Sequence, residues 1–318
     1  MAHERLKDWV FDCSDDEWTL WRCESCATMY LDPRPDAASL GFAYRNYYTH
    51  DENIEPAPAG LLQQFIWSGI NGYLNRRFGL RRTPCWVGGY WIFSILLPLR
   101  YKLDFYGRHL RRVKPGEPAR RLLDVGCGSG AFLDRAREMG WSATGVDFDP
   151  KALDVCRAHG HEVYDGDLPS VPSSLRFDAI TLNHTLEHLP DPLASLRQCR
   201  ERLVSGGIVW ITLPNPDSLG HRLLAESWRG LEPPRHLCLF PADCLAQMLR
   251  NTGFKDVKLM RRGVHSRKML HESARITRKR ELPGWSRGPL LLLQLTSDTL
   301  ATLSPSRGEE ITIVGHCG

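Results

Sequence analysis

Three carboxylates stand at spacings that suit one bound nucleoside. Asp124 opens the glycine run Leu123-Asp124-Val125-Gly126-Cys127-Gly128-Ser129-Gly130-Ala131, Asp147 lies in Val146-Asp147-Phe148-Asp149-Pro150, and Asp167 lies in Asp165-Gly166-Asp167-Leu168. Glycines between a strand and a helix permit a tight turn and a close approach of backbone to ligand, which makes Gly126, Gly128 and Gly130 candidate binding positions. The run also fits a dinucleotide pattern, G-x-G-x-x-A, through Gly126, Gly128 and Ala131. Asp124 separates the two readings, because a carboxylate there repels a pyrophosphate and suits the ammonium of an amino-acid tail. Asp147, 21 residues after Gly126, is placed to accept both hydroxyls of a ribose. Asp167 is placed to accept from an adenine amino group, with Phe148 and Leu168 on the two faces of the ring.

Proton chemistry has its own candidates. Glu187 and His188 follow in Leu186-Glu187-His188-Leu189-Pro190, and His236 closes Trp228-Arg229-Gly230-Leu231-Glu232-Pro233-Pro234-Arg235-His236. Either histidine is of a type that removes a proton from an oxygen or carbon acceptor, and either could instead only shape a pocket. Asn183 and His184, at a strand tip, read as cofactor lining rather than proton carriers. Cys127 is assigned no chemistry.

The elements that must position these groups are legible from residue 120 onward. Short apolar strands are expected at 121–125, 142–148, 162–164, 177–182, 207–212, 254–259 and 311–314. Helices are expected at 131–140, 151–159, 191–203 and 242–252, the second opened by Pro150 at a first helical position. Such alternation implies a mainly parallel sheet with helices on both faces.

These motifs, together with Phe177-Asp178-Ala179-Ile180 and Gly206-Gly207, resemble the class I S-adenosylmethionine-dependent methyltransferases from Arg120 to the C-terminus. The resemblance implies an α/β fold: a Rossmann-like sheet of seven strands, the last (311–314) running antiparallel between the fifth and sixth. It also implies S-adenosylmethionine as cofactor and methyl transfer by in-line displacement at the sulfonium. The expected acceptor is a small molecule or a glycan, lipid-linked forms included. A non-catalytic cofactor-binding or membrane-recruitment protein on the same fold is the alternative. Nucleic acid is not expected as a partner, since the fourth strand ends in Asn183-His184-Thr185-Leu186 and lacks the Asn/Asp-Pro-Pro-aromatic motif used on flipped bases.

Ahead of this region, residues 1–58 carry Cys23-x-x-Cys26, Leu31-Asp32-Pro33-Arg34-Pro35 and aromatics at Tyr44, Tyr47 and Tyr48, and end in the linker 55–60. This stretch resembles a zinc-ribbon-like leader with one of its two knuckles. Cys23 and Cys26 are the candidate metal ligands, with the missing pair expected before Met1, and two ligands alone do not close a structural zinc site. Residues 59–118 read as a helical cap or linker, and 119–318 as the methyltransferase domain. Within the cap, Thr83–Leu99 is a run of 17 uncharged residues flanked by arginines, shorter than the ~20 needed to span a bilayer. A cap helix buried against the catalytic domain is the favoured reading; peripheral docking on an anionic lipid surface is the alternative. A net charge of +4 is too mild to indicate nucleic acid. Ten cysteines dispersed over 318 residues, with no secretory signal at the start, are expected to be reduced and the protein cytoplasmic, with membrane association the alternative.

Overall fold

A computed structural model describes residues 1–36, 39–44 and 60–318. Tyr47, Tyr48 and linker residues 55–59 lie outside them. The described strands are β1 (His3–Leu6), β2 (Trp18–Arg22), β3 (Met29–Leu31), β4 (Arg120–Val125), β5 (Trp141–Asp147), β6 (Glu162–Asp165), β7 (Phe177–Asn183), β8 (Leu203–Pro214), β9 (Cys238–Leu239), β10 (Phe254–Met260) and β11 (Glu310–Cys317). Seven form a sheet in the order β10-β11-β8-β7-β4-β5-β6. β4, β5 and β6 pair in parallel, whereas β11 is antiparallel to both β8 and β10. The reversed last strand therefore sits where the resemblance implied.

The chain divides into two compact units. One comprises Thr49–Thr181 and Arg202–Gly207, the other Met1–Tyr48, Leu182–Glu201 and Ile208–Gly318. Of the leader expected over residues 1–58, residues 1–48 thus fall in the same unit as the C-terminal third. The cause is burial: β1, β2 and β3 pair antiparallel, and β9 completes their sheet through Met29↔Leu239 and Tyr30↔Cys238. Leu6, Leu20, Met29 and Leu31 share one apolar core with Trp228, Leu231, Leu270 and Leu293. Three short strands alone bury too little apolar area to stand independently.

Three α-helices escaped the sequence reading, Arg267–Lys279, Arg287–Leu303 and the short Leu219–Leu224. The first buries Leu270, Ser273, Ala274, Ile276 and Thr277 on one face, an i, i+3, i+4 pattern obscured by its many arginines and lysines.

The 59–118 segment folds as helices Leu61–Phe78, Gly89–Ile95 and Leu97–Tyr106. The favoured expectation that 83–99 is buried needs correction. Trp86, Val87, Trp91, Ile92, Ile95 and Leu96 are all exposed, Ile95 to 77%. Packing runs instead through glycines: a Cβ on Gly72 would collide with the Trp86 carbonyl, and one on Gly89 with the backbone of Gly69. That close approach seats Tyr90 against Tyr73 and leaves the larger apolar side chains outside.

Candidate active site

The glycine run turns as its residue types dictate. Gly126, Gly128 and Gly130 have φ of 72°, 52° and 84°, the left-handed region that a Cβ disfavours. Gly130 caps the helix Ala131–Glu138, and a Cβ there would lie 2.9 Å from Cys156 Sγ. Cys127 is buried with Leu133, Leu153 and Cys156, so its role is packing. Asp147, at the end of β5, accepts from the Gly128 amide (2.8 Å) and from the Asp149 amide (3.0 Å). Burial pushes its carboxyl up, and those two amides oppose the shift. Asp149 in turn caps the next helix by accepting from the Lys151 amide at 3.0 Å. The carboxylate at the second strand end is thereby held in one orientation by backbone donors.

Asp124 differs from expectation. Its Oδ1 accepts from the guanidinium of Arg108 and from Thr181 Oγ1 (2.6 Å), and Arg108 stacks over Phe132 at 3.7 Å. The carboxylate is almost wholly buried, which pushes its pKa up against the pull of Arg108. Asp124 is therefore not a bare negative charge awaiting an ammonium; its Oδ2 alone lacks a hydrogen-bond partner. Sequence reasoning missed Arg108, because it lies outside the strand-and-glycine pattern. Phe148 is half-exposed and Asp167 exposed, both open to a ligand, while Leu168 is buried and its carbonyl accepts from Arg202 at 3.0 Å. Of the expected aromatic–aliphatic pair, Phe148 is exposed and Leu168 is buried.

The other unit gathers the proton-active residues. Glu187, fully buried, lies 4.0 Å from His236 Nε2 and 3.4 Å from His184 Nδ1. Apart from those ion-pair contacts, neither of its oxygens has a hydrogen-bond partner. His236 donates from Nδ1 to the Gly230 carbonyl at 2.7 Å, an assignment by partner type that leaves Nε2 with its lone pair. Burial lowers His236 to about 4, against the pull of Glu232 and Glu187, so it is neutral at neutral pH. The His188 ring meets that of His236 at 4.7 Å, and its Nδ1 lies 3.0 Å from both Tyr44 Oη and the Arg235 carbonyl. Leu237 ties the loop down by donating its amide to the Glu187 carbonyl at 2.8 Å.

His184, expected as cofactor lining, is part of this cluster. It adopts a left-handed φ of 53°, a conformation that costs a non-glycine residue energy and collects at functional sites. Its Nε2 also lies 3.2 Å from Glu310. Burial opposes its charge, but the adjacent carboxylates of Glu187 and Glu310 push it up to about 10 from 6.5. A folded-state pKa raised in this way contributes stability that is complete below the unfolded value of 6.5 and lost as pH rises through the folded one. The melting temperature should therefore fall between pH 7 and pH 10, and His184→Gln should flatten that slope. An equal slope in the variant would remove His184 as its origin.

Asn183 ends β7, and its side-chain oxygen has no hydrogen-bond partner. The loop carrying His236 is anchored by Arg235, which is wholly buried. Arg235 forks onto Asp8 (Nη2–Oδ1 2.7 Å, Nη1–Oδ2 2.9 Å), donates to Glu232 at 2.9 Å and to the Ala43 carbonyl at 2.9 Å, and covers the Phe11 ring. Glu232 takes a second partner in Arg229.

Residues 99–259, just over half of the chain, match the family described as Methyltransferase domain. The chain belongs to that family. S-adenosylmethionine comes with this membership as cofactor, and an oriented Asp147, a turn with glycine at 126, 128 and 130 and a half-exposed Phe148 fit its nucleoside.

Ubiquinone biosynthesis O-methyltransferase of Xanthomonas campestris pv. campestris is 37% identical over 108 residues, covering 31% of this chain and 44% of the relative. The enzyme of that name from Alkalilimnicola ehrlichii is 35% identical over 147 residues, covering 41% and 55%. The chain thus spans about half the length of the curated relatives it matches. Among solved structures, phosphoethanolamine N-methyltransferase 2 of Haemonchus contortus, in complex with S-adenosyl-L-methionine, aligns at TM-score 0.48 and 18% identity, covering 91% of this chain and 62% of that one. A SAM-dependent methyltransferase of Archaeoglobus fulgidus aligns at 0.45 and 20%, covering 70% and 94%.

Zinc does not fit the cysteines as they stand. The Cys23 sulfur lies 3.1 Å from Ser25 Oγ, and that of Cys26 lies 3.3 Å from Thr28 Oγ1. A third thiol, Cys244, approaches the same Thr28 hydroxyl at 3.1 Å, a neighbour that sequence spacing could not reveal. Among the described residues, the groups that bring three ligand atoms within 4.8 Å of one another are Asp134, His159 and His161, and Glu187, His188 and His236, neither of which includes a cysteine.

Proposed function

We propose that this protein transfers the methyl group of S-adenosylmethionine to a hydroxyl of a small-molecule or glycan acceptor, free or lipid-linked. The buried Glu187–His236 pair carries this reading. The sulfonium is already activated, so the main tasks are to align donor with acceptor and to remove the acceptor's proton. A hydroxyl set against His236 Nε2 loses its proton to that nitrogen as its oxygen attacks the methyl carbon. The carbon–sulfur bond breaks with its electron pair moving to sulfur, leaving a neutral thioether. Glu187 offsets the positive charge that His236 acquires, and the Gly230 carbonyl fixes its tautomer. Similarity to relatives named as O-methyltransferases supports an oxygen acceptor.

A screen of metabolite and glycan extracts with labelled donor tests the acceptor class. With an acceptor in hand, His236→Ala should lower turnover by about 10²–10⁴ while cofactor affinity, measured by calorimetry, stays unchanged. Equal loss of both would remove His236 as base. Tight cofactor binding with no labelled product from any extract would favour the non-catalytic reading.

A further inference from the structure

The helices between Leu61 and Tyr106 carry a surface that the methyl-transfer reading does not use. Residues 61–114 contain ten lysines and arginines and one acid, Asp104. That acid is buried and already neutralised, accepting from Tyr73 Oη at 2.8 Å and from Arg77 Nε at 3.0 Å. The segment is thus net positive by nine charges, more than the +4 of the whole chain, and the remainder is net acidic. On this basic segment stand Leu61, Phe65, Val87, Trp91 and Ile95, each more than half exposed. Phe65 packs ring to ring against Trp86 at 5.0 Å, which brings exposed aromatics of two stretches of this segment together. Arg76 holds its guanidinium over the rings of Tyr90 and Trp91 at 4.6 and 4.9 Å, which sets a cation directly against the exposed aromatic surface.

We propose that this helical segment docks the protein on an anionic lipid surface, with Phe65, Trp91 and Ile95 entering the headgroup region and the flanking Arg81, Lys102 and Arg112 facing lipid phosphates. Among the described residues no helix is long and apolar enough to cross a bilayer, which leaves an interfacial mode, and mixed Trp, aliphatic and basic composition is what that mode needs. A second copy of the chain is a poor occupant, because two such faces would bring like charges together. The inference does not depend on which acceptor is methylated.

Co-sedimentation of the full chain with phosphatidylcholine vesicles, pure or containing phosphatidylglycerol, tests it. Binding to the anionic vesicles should exceed that to neutral ones by about tenfold or more and fall in high salt. Trp91→Ser with Ile95→Ser, and separately Arg81→Glu with Lys102→Glu, should each cut anionic-vesicle binding about tenfold while S-adenosylmethionine affinity is retained. Absence of a preference for phosphatidylglycerol, or unchanged binding by both double variants, would overturn the proposal. So would a wild-type dimer in sedimentation velocity that Trp91→Ser with Ile95→Ser converts to monomer.

Discussion

Asp147→Ala should lose S-adenosylmethionine affinity by about a hundredfold or more. Two ribose hydroxyls donating to one carboxylate are charge-assisted bonds worth about 1.5–3 kcal/mol each, and tenfold in affinity corresponds to about 1.4 kcal/mol. The variant also strips the Gly128 amide of its acceptor, loosening the turn that the nucleoside must approach. Asp147→Asn keeps the shape and drops the charge, so it should fall between wild type and Ala. Calorimetric titration with far-ultraviolet dichroism as a folding control reads the effect. Wild-type affinity in a folded Asp147→Ala protein would place the ribose elsewhere.

Arg235→Met should be the most destabilising single change. The substitution keeps most of the volume but leaves Asp8 and Glu232, both buried, without their shared cation. Breaking a buried pair from one side costs about 3–5 kcal/mol. At about 2–4 °C per kcal/mol for a domain of 150–250 residues, the melting temperature should drop by roughly ten degrees. Adding Asp8→Asn to Arg235→Met should recover part of that loss, because it removes one stranded charge. A melting temperature within a degree or two of wild type in the single variant, or no recovery in the double, would mean the network contributes little.

What could be read from sequence was whatever local chemistry dictates. Gly126, Gly128 and Gly130 announced a tight turn, Pro150 marked a helix start, and alternation of strand and helix specified a mainly parallel sheet, while the reversed last strand came from the family resemblance alone. The position of Asp147 at the end of β5 was legible because its distance from the glycines is set by one βαβ unit. Arg108 escaped because it meets Asp124 from the turn that follows the helix Leu97–Tyr106, with no periodic link to β4. The same holds for His184 with Glu310, and for Arg235 with Asp8, 227 positions apart in the chain. Charged residues in long loops show their sign in a sequence but not their partner. The exposure of Trp91 and Ile95 was hidden for the opposite reason: an apolar run looks buried until the glycines that exclude it from the core are seen.

The sheet that joins the first thirty residues to Cys238 and Leu239 sets an order of events during synthesis. β3 cannot gain its outer neighbour, nor Asp8 its cation, until the ribosome has passed Arg235. At about 5–20 residues per second, the stretch from Leu6 to Leu31 waits on the order of ten to forty seconds with Leu6, Leu20 and Leu31 uncovered. A chain released before translation reaches this point keeps those apolar side chains without the core that covers them.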